Sequence, residues 1–184
     1  RDIDRGNHPH YLIKEIGESP DSVRATLRGR LIGGSAVRLG PETLGGGLQG
    51  DLAAGRIARV VVVGQGTAAV AGRAVAAAVE AELATTGVLV EAHPATELSG
   101  FGLLPDMSDT LVVAISQSGT TTDTNRTVDL VRARGARVVA IVNRRNSDLI
   151  DRADGVLYTS DGRDVEMSVA STKAFYCQVV AGFL

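Results

Sequence analysis

The sequence predicts an α/β fold: a doubly wound, five-stranded parallel sheet with an N-terminal helical extension. Two observations carry this. From residue 57 onward, apolar β-branched runs alternate with stretches of helical period, and each run is apolar throughout. Continuous apolarity, unlike strict alternation, marks strands covered on both faces. In addition, these runs end in turns rich in glycine and hydroxyl side chains that open helices. Sheets of this kind bind ligands outside the carboxyl ends of their strands, near the switch in strand order.

The elements follow in sequence. Residues 1–10 are polar and read as loose. Tyr11, Leu12, Ile13 and Ile16, closed by Gly17, predict a short helix. Ser19-Pro20-Asp21 predicts a second helix through Val23 and Leu27, with Ser19 as N-cap and Pro20 at its first position. Arg24, Arg28 and Arg30 read as a solvated face. Residues 29–50, with Gly45-Gly46-Gly47, read as a connecting segment that is flexible at least in part. Five strands are expected at 57–63, 88–90, 111–115, 137–142 and 156–158. Helices are expected at 67–84, 95–98, 121–134, 147–151 and from Ser171 onward, the last with Phe175, Val179 and Val180 facing inward. The division is a lead-in and glycine-rich linker over 1–55 and the sheet domain over 56–184. The chain starts at Arg1 rather than Met and stops at Phe183-Leu184 without a C-cap signal, so the expectation is a segment of a longer protein, cut short at the C-terminus.

Composition narrows the function classes. Hydrophobic residues make up 44% of the 184 and aromatics 3%, with no Trp, so the core is expected to be Val, Ala, Leu and Ile. A net charge of −2 provides no field suited to nucleic acid or to an anionic membrane. The single Cys177 excludes an internal disulfide and reads as a core residue rather than a nucleophile. His93, before Pro94 in an expected loop, has no partners at metal spacing, and His8 and His10 lie in the loose entrance. No metal and no cofactor are expected. No apolar run approaches the roughly 18 residues of a membrane span and no signal-peptide core is present, so a cytoplasmic location is expected.

The strongest chemical signal is Ser116-Gln117-Ser118-Gly119-Thr120-Thr121-Thr122-Asp123-Thr124. It holds six hydroxyl side chains and one glycine in nine residues, between an apolar run and a helix, with no Lys or Arg. Backbone N–H groups at a helix N-terminus, completed by hydroxyls, form an anion pocket. One N-cap needs only one hydroxyl, so the density favours phosphate binding over capping alone. Gly64-Gln65-Gly66-Thr67, with Ala69, satisfies the loose dinucleotide fingerprint, and Glu91 closes the second strand where a ribose-binding acid could sit. Glycine for turn geometry alone explains the same residues, leaving Thr67 as a second hydroxyl at the crevice. In Glu166-Met167-Ser168-Val169-Ala170-Ser171-Thr172-Lys173, Ser171 and Thr172 are candidate caps of the last helix, and whichever hydroxyl is not used, or Lys173, is available to a ligand.

Together these segments are recognisable. Ser116-Gln117-Ser118-Gly119 followed by Thr121 and Asp123-Thr124 resembles the phosphosugar loop of sugar isomerase (SIS) domains. Val169-Ala170-Ser171-Thr172-Lys173-Ala174-Phe175 is similar to a signature of the glucosamine-6-phosphate synthase branch of that family. Tyr11, Lys14-Glu15-Ile16, Pro20, Thr26-Leu27 and Gly29-Arg30 resemble the segment leading into its isomerase half. The resemblance implies a flavodoxin-like parallel sheet. It implies Ser116, Gln117, Ser118 and Thr121 as phosphate contacts, Thr67 at the same site, and Val169 and Ser171 near the sugar. Glu166 matches an acidic position of the signature to which no role is assigned.

Departures from the family pattern are Gln65 where Cys is common, Thr120 where Glu is common and Ser168 where Gly is usual, and Ala68 lacks any contact that a Ser there would make. The resemblance further implies an aminotransferase and isomerase as the whole protein, with fructose 6-phosphate or glucosamine 6-phosphate as ligand. Glutamine would be handled by a separate domain, and a homodimer is expected. Catalytic residues of the family belong to parts not found in these 184 residues, so none is expected here and the segment alone is expected to be inactive. Two rival readings are a sugar-phosphate-sensing regulatory SIS module and a deaminating or deglycating paralogue acting on phosphorylated amino sugars.

Overall fold

The computed structural model describes residues 4–34, 36–45, 47–168 and 171–184. Helix α1 (Tyr11–Leu27) is followed by a small antiparallel pair, β1 (Leu31–Ile32) and β2 (Ala36–Val37), and by α2 (Leu48–Ala53). Then come β3 (Arg59–Gly64), α3 (Thr67–Leu83), β4 (Leu89–Pro94) and α4 (Ala95–Glu97), which runs into a π-helical turn at Leu98–Gly102. β5 (Thr110–Ser116), α5 (Thr122–Arg132), β6 (Arg137–Val142), α6 (Asp148–Arg152) and β7 (Gly155–Tyr158) lead to α7 (Lys173–Gly182).

β3 to β7 form one sheet in the order β4-β3-β5-β6-β7, every pairing parallel. In the sheet's own count this is 2-1-3-4-5, the flavodoxin-like order. The chain winds outward in one direction from β3 to β4 and in the other from β5 to β7, so the switch point lies between β3 and β5. Val61, Val63, Val112, Ala114, Val138, Ala140 and Val142 pack with Val128 and Val131 of α5 and Leu149 of α6. On the opposite face Val60, Val62, Ile115, Ile141 and Leu157 pack with Val75 and Ala76 of α3 and Ala181 of α7. Both faces of each central strand are thus covered, which is why the runs carry no polar alternation. Among the described residues the buried apolar side chains are the expected Val, Ala, Leu and Ile, joined by Met107 and Cys177.

The helical lead-in differs from expectation. The two helices expected on either side of Gly17 are one helix, with Pro20 inside it. Pro20 removes one ladder hydrogen bond, and Ser19, rather than capping, donates its hydroxyl to the Glu15 carbonyl at 3.2 Å. Tertiary contacts hold the helix straight through. α1 buries Lys14, Glu15, Ser22 and Thr26 while exposing Leu12, Ile13 and Ile16, the reverse of a simple apolar stripe. Thr26 Oγ1 accepts from Ser160 N at 2.8 Å, and Lys173 Nζ, at the start of α7, donates to Glu18 Oε2 at 2.7 Å.

That ion pair sets a pH dependence. Partial burial pushes the Glu18 carboxyl up, but the Lys173 hydrogen bond and charge, with Lys14, outweigh it, so its folded pKa lies below the ordinary 4.5. A depressed folded pKa contributes stability that is complete above the unfolded value and vanishes as pH falls through the folded one. Glu18→Gln should therefore melt below the native chain at pH 7, and the gap should close as the pH drops below 4.5. A gap constant from pH 7 to pH 3 would refute the assignment.

The 29–50 connection is only partly open. Val156 N donates to Glu42 O at 2.7 Å and Thr43 Oγ1 to Val156 O at 3.2 Å, so residues 42–43 run against β7. Asp51 of α2 accepts from Arg137 Nε of β6 at 2.6 Å. The second expected strand is longer than 88–90. Its extension places Glu91 opposite Val61 and His93 opposite Val63, within the sheet. Phe175, Val179 and Val180 are only partly buried. α7 turns Ala174, Cys177, Gln178 and Ala181 inward instead, because it must also seat Lys173 against α1.

Candidate functional site

Two turns meet at the switch point. The first, Gly64-Gln65-Gly66, joins β3 to α3. Gly66 sits at φ +59°, ψ −128°, a conformation open essentially to glycine alone. The second, residues 116–121, joins β5 to α5. Ser116 Oγ accepts from Gly119 N at 3.0 Å and lies 3.4 Å from Thr121 Oγ1. Ser118 Oγ accepts from both Thr120 N at 3.2 Å and Thr120 Oγ1 at 3.0 Å. The loop is pinned to its surroundings by its carbonyls: Gln117 O accepts from Asn143 N and Arg144 N, and Gly119 O from Leu149 N and Asn125 Nδ2.

Between the turns lies a cavity of about 360 Å³. Six of the seven residues singled out in the sequence line it: Thr67, Ser116, Gln117, Ser118, Thr121 and Ser171. The seventh, Val169, lies outside the described residues. Among the described residues neither Lys nor Arg contributes to the wall. The cations that the anion reading would otherwise need are replaced by two helix ends. Gly66 and Thr121, the N-cap residues of α3 and α5, make no side-chain cap bond, so the first-turn N–H groups of both helices have no such partner.

α7 is treated differently. Glu166 Oε1 accepts from Thr172 N at 2.9 Å, Ala174 N at 3.0 Å and Thr172 Oγ1 at 3.0 Å, and Glu166 Oε2 from Ser171 Oγ at 3.0 Å. The capping expected of Ser171 and Thr172 falls to Glu166, to which both hydroxyls donate. Its negative charge at a helix N-terminus is favourable and is held there by four hydrogen bonds. The loop's other end is tied to α1: Glu15 Oε1 accepts from Met167 N at 2.5 Å and Ser168 N at 3.2 Å, and Ser168 Oγ donates to Glu15 Oε2. Ser168, standing where the family has Gly, thus adds a tether.

Other candidates separate from the site. Lys173 is 1% exposed and directed to Glu18, with Asp164 at 3.9 Å. Glu91, the possible ribose acid, pairs across strands with Arg59 at 3.4 Å and sits short of the carboxyl end. Ala68 lines the cavity with a methyl group where a Ser would add a hydroxyl. Burial pushes the Cys177 thiol up to about 11, against nucleophilic use. No group of three or more His, Cys, Asp or Glu among the described residues could hold a metal, and no helix among them is long and apolar enough to cross a membrane. Four lining residues with polar side chains did not stand out as ligand contacts in the sequence: Gln65, Glu166, Ser168 and Gln178. Gln178 had a legible signal, a polar amide at helical spacing with Ala174, Cys177 and Ala181.

The geometry defines a class: a doubly wound α/β domain with a hydroxyl-lined cavity at its switch point. A family model described as the SIS domain matches residues 56–183. The chain belongs to the SIS domain family. It is similar to the glutamine–fructose-6-phosphate aminotransferase (isomerizing) of Streptomyces coelicolor, 40% identical over 174 residues, covering 95% of this chain and 26% of that protein. The corresponding protein of Symbiobacterium thermophilum is 40% identical over 178 residues, covering 97% and 28%. Among solved structures, the C-terminal domain of glucosamine-fructose-6-phosphate aminotransferase from Francisella tularensis superposes with a TM-score of 0.79 at 28% identity, over 98% of this chain and 47% of that one. The chain spans about a quarter of the length of the curated relatives it matches.

Proposed function

We propose that this chain is the phosphosugar-binding SIS domain of a glutamine–fructose-6-phosphate aminotransferase (isomerizing)-like protein. It anchors a fructose 6-phosphate or glucosamine 6-phosphate class ligand while catalytic groups come from outside these 184 residues. The observation that carries the reading is the hydrogen-bond accounting of the cavity. Ser118 Oγ already accepts two bonds, which leaves its own proton to donate. Ser116 and Thr121 share at most one proton between them, leaving at least one more. With the first turns of α3 and α5, this is a set of donors without cations, suited to phosphate oxygens. Ser171 is the opposite: it donates to Glu166 and can only accept, which suits a sugar hydroxyl rather than a phosphate. The relatives at 40% identity favour this assignment over a sensor or a deaminating paralogue.

In this role the domain contributes position and electrostatics, holding the phosphate so that the reacting carbons meet groups from elsewhere. A homodimer in the cytoplasm, with glutamine handled by a separate domain, belongs to the same proposal.

The test is a thermal-shift panel. Fructose 6-phosphate at a hundredfold excess over its Kd should add about 2.7 kcal/mol of stability, a rise of several degrees in Tm. NAD should add nothing, and Ser118→Ala should lose most of the rise. A shift with NAD alone would replace this reading with the dinucleotide one, and a Ser118→Ala response equal to the native one would remove the loop from the site.

A further inference from the structure

We infer that Gln178 is a specificity-determining contact, reading a hydroxyl group on the carbon chain of the ligand rather than its phosphate. The inference rests on the phosphosugar reading and deepens it. Gln178 is 2% exposed, lines the cavity, and its Oε1 has no hydrogen-bond partner among the described residues. An amide left unpaired in a protein interior is costly, and each such group calls for an explanation. The buried residues of α7 beside it are Ala174, Cys177 and Ala181, with Lys173 directed to Glu18 instead, so no packing contact among the described residues pairs with the amide oxygen. A leucine there would fill the same space without the penalty. Gln65, across the β3–α3 turn, repeats the pattern with a buried Oε1 that lacks a partner among the described residues.

The phosphate does not need these amides, since the 116–121 loop and the two open helix ends supply its donors. α7 meets the cavity by its side, because Glu166 occupies its N-terminus. An amide offers a donor and an acceptor, and a sugar hydroxyl satisfies either. A cavity of about 360 Å³ holds more than a phosphate ion, and its lining outside the 116–121 loop includes Gln178, Gln65 and the accepting Ser171. The ligand class is therefore a phosphorylated polyol or sugar with hydroxyls beyond the reach of the phosphate loop.

A site built to pair with a hydroxyl discriminates strongly against ligands lacking it. Titration calorimetry on the 184-residue chain should show Gln178→Leu weakening fructose 6-phosphate about tenfold while leaving inorganic phosphate unchanged. Unchanged fructose 6-phosphate affinity, or an equal loss for both ligands, overturns the inference. The native chain supplies a second arm that does not depend on the variant folding. Glycerol 3-phosphate, with its shorter carbon chain, should bind at least tenfold more weakly than fructose 6-phosphate, and equal affinity overturns the inference by itself. A native chain that binds neither fructose 6-phosphate nor inorganic phosphate brings down the phosphosugar reading and this inference together.

Discussion

Gly119→Ala should lower stability by about 2–5 kcal/mol and abolish the response to sugar phosphates. Gly119 sits at φ +65°, and a Cβ there would lie 2.1 Å from Ser147 Oγ and 2.6 Å from Ser147 Cβ. Left-handed backbone costs an L-residue roughly 1–2 kcal/mol. Overpacking a buried position costs typically 1–3 kcal/mol more. Relief would require Ser147, the residue before α6, to retreat, carrying with it the Leu149 N bond to Gly119 O at 3.1 Å. If Gly119 shifts instead, its N–H bond to Ser116 Oγ is lost, and the donor set disperses with the fold. Urea denaturation measures the first effect and the thermal-shift panel the second. A variant with the native midpoint would show that the 116–121 loop has room to move, contrary to the packing around it.

Glu166→Ala should be nearly as severe and differently distributed. The variant strips four hydrogen bonds from one carboxylate, two of them to backbone N–H groups of the α7 start. Bonds to a charged acceptor are each worth roughly 1.5–3 kcal/mol. Water will replace part of that, leaving a loss of about 2–3 kcal/mol. Hydrogen exchange reads it locally: the Thr172 and Ala174 amides should exchange much faster while those of β5 and β6 hardly change. Glu166→Gln, keeping an acceptor without the charge, should fall between. Native exchange rates at both amides in Glu166→Ala would mean that the carboxylate does not organise this turn.

The sheet was legible because its signals are local. Val60–Val63, Leu111–Ile115 and Val138–Val142 are each continuous apolar runs between turn residues, and a strand covered on both faces leaves that trace in any order of connection. The 116–124 stretch was legible for a similar reason, since hydroxyl density beyond what a cap uses is itself a pattern. What sequence reasoning lost depends on distant partners. Pro20 reads as a helix start until Glu15, Glu18 and Thr26 are seen anchored to residues 167–168, 173 and 160. The phase of α7 went wrong because sequence left Lys173 available to a ligand, whereas Glu18, 155 residues earlier, and Asp164 make its burial tolerable. Once α7 is rotated, Gln178 lines the cavity and Phe175 is only partly buried. Glu166 had no assignable role because a carboxylate that caps a helix from seven residues before it has no short-range signature.

Cys177 gains a use from its position. It is 1% exposed on the face of α7 that meets α1, with the Thr26 hydroxyl beside it and a thiol pushed up to about 11. The thiolate is the form that attacks alkylating reagents, so the folded chain is almost inert to them. Reaction requires α1 to peel from α7, an event that also withdraws Glu15 from Met167 and Ser168. The lone thiol is therefore a native gauge of how often the ligand loop loses its moorings. It reads that opening chemically, without a label and without altering a residue.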